Sequence, residues 1–183
     1  MILWIVVAAV VLIVVLLLIA TFNRLVRLRN RTENAWAQID VQLKRRADLI
    51  PNLVETVKGY AAHERETFEA VTNARTQAQQ ARTVEERAQA EGVLGAALGR
   101  LLAVAEAYPQ LRATENFQDI ERQLQETEGK IAVSRQVYND TVLTYDTALE
   151  TFPTNLLAGA LGFRPRAYFE AEPSAREAPQ VKL

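Results

Sequence analysis

The chain has 183 residues, no cysteine, one histidine, seven glycines and six prolines, with a formal net charge of −1. Without cysteine, a disulfide scaffold, a thiolate zinc site, an iron–sulfur cluster and a cysteine nucleophile are impossible. One histidine cannot build a histidine-rich metal centre, and a near-neutral total argues against a dedicated nucleic-acid binder.

The near-zero mean hydropathy conceals an uneven chain. Residues 2–20 are nineteen consecutive apolar residues. As a helix they would span roughly 29 Å, close to the hydrocarbon thickness of a bilayer. A cleaved signal peptide is the competing reading, but no basic residue precedes the run, the run is long for such a segment, and Ile19-Ala20-Thr21-Phe22-Asn23 is a poor cleavage site. Residues 1–22 are therefore expected to be a transmembrane anchor. Arg24, Arg27, Arg29 and Arg31 follow at once, with no acid before Glu33. The positive-inside rule then places the N-terminus outside and the rest of the chain in the cytoplasm, on the inner membrane of the cell. The four arginines form a collar that can also grip anionic headgroups.

Charge is divided in the same way. Residues 24–46 hold seven basic and two acidic side chains, and residues 47–163 hold ten basic and seventeen acidic. A basic collar beneath an acidic body is the result. Lys44-Arg45-Arg46 is the one basic cluster beyond the collar. On a continuous helix it lies roughly 35 Å from the membrane boundary, several Debye lengths away. It reads as a solvated helix face or as a contact for an acidic partner.

From residue 23 the chain is rich in alanine, poor in glycine and proline, and apolar at helical spacing throughout. The first helix continues out of the anchor through Leu25, Leu28, Thr32, Trp36, Ile39 and Leu43 to about Leu49. Pro51 is expected to mark a stop and a restart, giving a tight antiparallel hairpin over 48–52. A second helix carries Val54, Val57, Ala61, Glu64, Phe68, Val71, Arg75 and Ala78 at strict three-four spacing and stops near Arg82. Thr83-Val84-Glu85-Glu86 is a capping box that opens a third helix, ended by Pro109. Gly92, Gly95 and Gly99 lie inside it, and close approach of a neighbouring backbone would repay their cost. In the fourth helix the stripe 117, 120, 124, 127, 131, 134, 138, 141, 145, 148, 152 alternates without error, and Val133, Val137, Val142 and Leu149 widen it to the breadth a bundle needs. Pro153 ends it.

The expected fold is all-α: a transmembrane helix continuous with an antiparallel up-and-down four-helix bundle over 23–152. An apolar segment follows over 153–169, with Leu156, Leu157, Leu161 and Phe163. It reads either as packing on the bundle or as an exposed patch that meets a partner or the membrane surface. Residues 170–183, with two prolines and alternating charge, read as a disordered tail.

Chemistry is hard to assemble from these residues. A carboxylate-bridged di-metal centre in a helical bundle needs two Glu-x-x-His motifs, and the single His63 follows Tyr60 at that spacing. No phosphate-binding glycine loop and no nucleophile elbow is present. Glu64, Arg75 and Glu91 do fall on otherwise apolar stripes. They read as stripe-edge residues that snorkel to water, or as a buried pairing of Arg75 with Glu64 or Glu91. No cofactor is expected.

The block Leu28-Arg29-Asn30-Arg31-Thr32-Glu33-Asn34-Ala35-Trp36-Ala37-Gln38-Ile39-Asp40-Val41-Gln42-Leu43-Lys44-Arg45-Arg46, followed by Asp48-Leu49-Ile50-Pro51-Asn52-Leu53-Val54 and Val57-Lys58-Gly59-Tyr60, strongly resembles the LemA family. Tyr108-Pro109, Glu115-Asn116-Phe117, Lys130-Ile131-Ala132, Tyr138-Asn139-Asp140 and Thr151-Phe152-Pro153 add to the likeness, which covers essentially the whole chain. The resemblance implies a bacterial membrane protein with one N-terminal span, an all-helical domain and no established enzymatic activity. Members are often encoded near membrane-stress metalloproteases, and one branch is associated with magnetosome membranes. Asn34, Trp36, Asp40, Arg46, Pro51 and Asn52 match the most recognisable block and are candidates for an interaction surface or a structural role; Thr32 departs from the valine expected there. The functional expectation is a membrane-tethered helical adaptor whose partners are the lipid bilayer and other membrane proteins. Homo-oligomeric assembly is the second reading. An enzyme is the third, and it requires a pocket converging on Glu64, Glu91 and Arg75.

Overall fold

The computed structural model describes residues 1–170; most of the tail expected over 170–183 lies outside the described residues. The described chain is all-helical, with no strand. It comprises α1 (Ile2–Lys58), α2 (Arg65–Gln80), α3 (Val84–Glu106), a single turn α4 (Pro109–Arg112), α5 (Glu115–Glu150) and a 3-10 turn at Thr154–Leu156. Two compact units divide it, one of Met1–Gln38 with Gln136–Arg166 and one of Ile39–Arg135 with the described residues from Ala167 onwards.

The second unit draws one apolar core from segments of all four long helices. Ile50, Leu53 and Val57 come from α1, Phe68, Val71, Ala74 and Ala78 from α2, Leu94, Leu98 and Leu101 from α3, and Phe117, Ile120 and Leu124 from α5. The hairpin expected over 48–52 does not form: α1 runs through Pro51 for seven further residues. Two physical facts explain this. The apolar stripe continues past the proline, and burying Ile50, Leu53 and Val57 is worth about 1.5–3 kcal/mol each, against about 3 kcal/mol for an internal proline. Secondly, Pro51 has no N–H to give to the carbonyl of Ala47, and the Arg75 Nε–H donates to that oxygen instead at 2.8 Å. The chain turns later, at residues 59–64, where Tyr60 and Ala61 both donate to the Val57 carbonyl.

α3 opens on the expected capping box. The Thr83 hydroxyl accepts from the Glu86 N–H at 3.1 Å, and the Glu86 carboxylate accepts from the N–H groups of Thr83 at 3.2 Å and Arg82 at 2.9 Å. No close backbone approach repays the cost of Gly95 and Gly99, where an added Cβ would meet open space.

In the first unit α1 and α5 pair antiparallel. Trp36 lies on Tyr138 with ring centroids 5.5 Å apart. The Thr32 hydroxyl reaches the carbonyls of Leu28 at 3.2 Å and Thr141 at 3.4 Å. Leu25 packs with Tyr145, Ala148 and Leu149. The departure from valine at position 32 thus places a buried hydroxyl between two helices. The α5 stripe is buried or half-buried from Phe117 to Ala148, but the helix ends at Glu150, and Phe152, expected in the core, is 75% exposed. Val142 and Leu149 widen the buried face as expected; Val133 and Val137 do not, and face solvent.

Candidate functional site

The buried charged residues among those described are Arg46 and Glu91. Arg46 sits on α1 between Leu43 and Ile50, so helical spacing directs it towards the core. The other two members of its basic cluster, Lys44 and Arg45, face solvent. Reading the three as one solvated face is therefore wrong for Arg46. Its guanidinium forks between the carboxylates of Glu91 on α3 and Glu128 on α5. A second arginine, Arg87, stands one turn before Glu91, with its Nε 3.0 Å from the other Glu91 oxygen. Arg87 also donates to the Ala78 carbonyl at 2.8 Å and reaches Asp40 at 3.3 Å. Three carboxylates and two guanidiniums thus tie α1, α3 and α5 together within the second unit, and Arg87 adds the end of α2.

Electrostatics decides what this cluster can do. Burial works against the Arg46 cation, but the charge of Glu91 and the hydrogen bond to Glu128 outweigh it, and the guanidinium is held above its ordinary value. A permanently charged arginine cannot serve as a base. Glu91 is engaged by both arginines and Glu128 by Arg46. The arrangement is a clamp of paired charges, in which each guanidinium is held between carboxylates.

The three stripe polar residues do not share a partner. Glu91 pairs with Arg46 and Arg87, Arg75 binds the Ala47 carbonyl, and Glu64 stands half-buried just before α2 without capping it through its side chain. Arg75 and Glu91 thus each take partners other than one another. Of the block residues, Arg46 is in the clamp, Asp40 is at its rim, Trp36 is half-buried against Tyr138, and Asn34, Pro51 and Asn52 are exposed. Arg87 and Glu128 were not singled out from the sequence. The i,i+4 spacing of Arg87 and Glu91 was the only local signal for the first, and none pointed to Glu128. Among the described residues no group of three or more His, Asp or Glu could hold a metal ion. An open cleft of about 430 Å³ is lined by Gln77, Gln80, Ala81, Glu86, Gln89, Ala90 and Val93, and no buried charge lines it.

The first unit carries the arginine collar. Arg24, Arg27 and Arg31 are exposed, while Arg29 is half-buried with its guanidinium 5.6 Å from the Phe163 ring centroid. The segment after α5 is divided: Ala158 and Phe163 are buried against Leu25 and Tyr145, Leu157 is half-buried, and Leu156 and Leu161 are exposed. Part of the segment therefore packs on the first unit and part is exposed. Arg166 closes it, pairing with Glu33 at 2.8 Å while its backbone N–H donates to Asp146 at 3.1 Å.

An all-helical protein with an N-terminal helix apolar enough to cross a membrane, and a body held by an arginine–carboxylate clamp, is the class these features define. The LemA family model matches residues 35–183, and the chain belongs to that family. Two relatives from Paramagnetospirillum magneticum, magnetosome proteins MamQ 1 and MamQ 2, are each 28% identical over 86% of this chain and 67% of their own length. Protein LemA of Metamycoplasma hominis is 27% identical over 81% of this chain and 68% of its own.

Proposed function

We propose that this chain is a single-pass, membrane-anchored helical adaptor that works by binding rather than by catalysis. The observation that carries the proposal is the apolar run itself. Residues 2–20 stand uncovered by the rest of the protein, on a helix that continues without a break into the folded body. Nineteen uncovered apolar residues are untenable in water, and a bilayer matches their length. The collar of Arg24, Arg27, Arg29 and Arg31 supports an outside N-terminus and a cytoplasmic body. The mutual neutralisation of Arg46 and Glu91, the buried charges among the described residues, supports a structural interior. Kinship with magnetosome proteins is in keeping with a part in a larger assembly.

Topology is the first test, and the lack of native cysteine makes it clean. With a single cysteine at exposed Val137, an impermeant maleimide should label inverted membrane vesicles and leave intact spheroplasts unlabelled. The opposite pattern reverses the orientation. Crosslinking within membranes, read by mass spectrometry, then tests the adaptor role. Specific neighbours that change when Trp36 or residues 156–163 are altered support it; a random, unaltered set of neighbours sinks it.

A further inference from the structure

The pairing of α1 with α5 in the first unit has a register, which fixes where α5 ends. Trp36 meets Tyr138, Thr32 meets Thr141, and Leu25 meets Tyr145, Ala148 and Leu149. Both helices rise equally per residue, so Glu150 at the end of α5 comes level with about residues 20–24 of α1. That is where the apolar run stops. The chain after α5 is then held at this level. The Gly162 N–H donates to the Gly159 carbonyl at 3.2 Å and the Phe163 N–H to the Ala158 carbonyl at 3.0 Å. These are the two bonds of a Schellman closure, and Gly162 takes the positive φ of 78° that the closure requires. The closure turns Phe163 back onto Phe22, with ring centroids 5.6 Å apart and planes at 66°, beside Arg29. Phe22 lies two residues beyond the apolar run. On the segment so pinned, Phe152 and Leu156 are 75% and 70% exposed and Leu161 is exposed too. Exposed Arg24, Arg27 and Arg164 belong to the same unit.

We propose that residues 151–164 form a foot that lies in the interfacial layer of the bilayer, with Phe152, Leu156 and Leu161 at the acyl boundary and Arg24, Arg27 and Arg164 on lipid phosphates. The proposal rests on the reading of residues 2–20 as the span. Given that span, lipid is what surrounds the helix at the level of Phe22, and an apolar segment pinned there meets the headgroup layer first. Apolar side chains beside cationic ones are the combination that binds such a surface. The foot would give the chain a second hold on the membrane and fix the tilt of the first unit, which one span alone leaves free.

Site-directed spin labelling tests this on the full chain in phosphatidylcholine–phosphatidylglycerol vesicles. Single cysteines are placed at Phe152, Leu156 and Leu161, with Leu12 as the bilayer reference and Val133 as the aqueous one; circular dichroism checks that each variant keeps its helix content. The ratio of oxygen to nickel-chelate accessibility should be high at Leu12, low at Val133 and several-fold above the Val133 value at the three foot positions. Foot labels that match Val133 while Leu12 remains in lipid overturn the foot and leave the anchor standing. Foot labels shielded from both reagents show that a protein chain covers the patch, and also overturn it. An aqueous Leu12 overturns the anchor reading and the foot together.

Discussion

At the scale of single residues, Arg46 stands out because the desolvation of a guanidinium is affordable only with partners in place. Removing it should leave Glu91 buried with Arg87 alone. We expect Arg46→Met to lose about 3 kcal/mol of stability in urea unfolding, the lower end of the range for breaking a buried pair because Arg87 stays on Glu91. Arg46→Met with Glu91→Leu should recover most of that loss, since apolar replacement of a whole buried pair is often neutral. A double variant as unstable as the single one would mean that the clamp does not act as a charge pair. Glu86 offers a pH test. The backbone N–H groups of Arg82 and Thr83 hold its carboxyl below the usual 4.5. A carboxyl depressed in the folded state stabilises above its unfolded pKa, and that contribution is lost as pH falls through the folded value. Amide protection in the first turn of α3 should therefore weaken as pH drops below 4.5. Glu86→Gln should show little such dependence; an unchanged pH profile in that variant would refute the assignment.

At the scale of elements, the continuity of α1 through Pro51 depends on a donor from another helix. Arg75→Met should cost about 1–3 kcal/mol, the penalty for a buried carbonyl left without a donor. In a Pro51→Ala background the residue 51 N–H can serve Ala47 itself, so the same Arg75 change should cost measurably less. Equal costs in the two backgrounds would show that Arg75 does not compensate for the proline. α3 yields a prediction of the opposite sign. Gly95 and Gly99 are helical positions with open space beside them, so each change to alanine should stabilise by up to about 1 kcal/mol. Destabilisation at either would reveal a close neighbour at that face.

At the scale of the whole molecule, the proposed anchor puts the apolar run in lipid and leaves the folded body in water. Deleting residues 2–20 should move the chain from the membrane pellet to the soluble fraction in high-salt flotation, with helix content in the body retained. If the foot over 151–164 holds the surface as proposed, a low-salt, anionic-lipid-dependent remnant of binding should persist and be lost with Leu156→Asp and Leu161→Asp. Full retention in the pellet at high salt and neutral lipid would contradict the anchor.

Much of this was legible in the chain because it depends on neighbours in sequence. The apolar run, the collar, the helical period, the capping box and the α5 stripe as far as Ala148 each follow from residues within a few turns of one another. Family membership was legible too, since its blocks are contiguous. What the sequence could not supply was decided across long separations: Arg46 finds Glu91 45 residues away and Glu128 82 away, and Arg75 finds the Ala47 carbonyl 28 away. Periodicity names the face of a helix but not what lies opposite it. For that reason Pro51 reads as a break until its lost donor is seen replaced, and Phe152 reads as core until α5 is seen to end before it. Likewise Phe163 and Leu161, two residues apart and both apolar, differ only once Gly162 is known to turn one inward. The local terms are set by covalent neighbours; partner, register and burial are set by packing, and only the tertiary structure carries them.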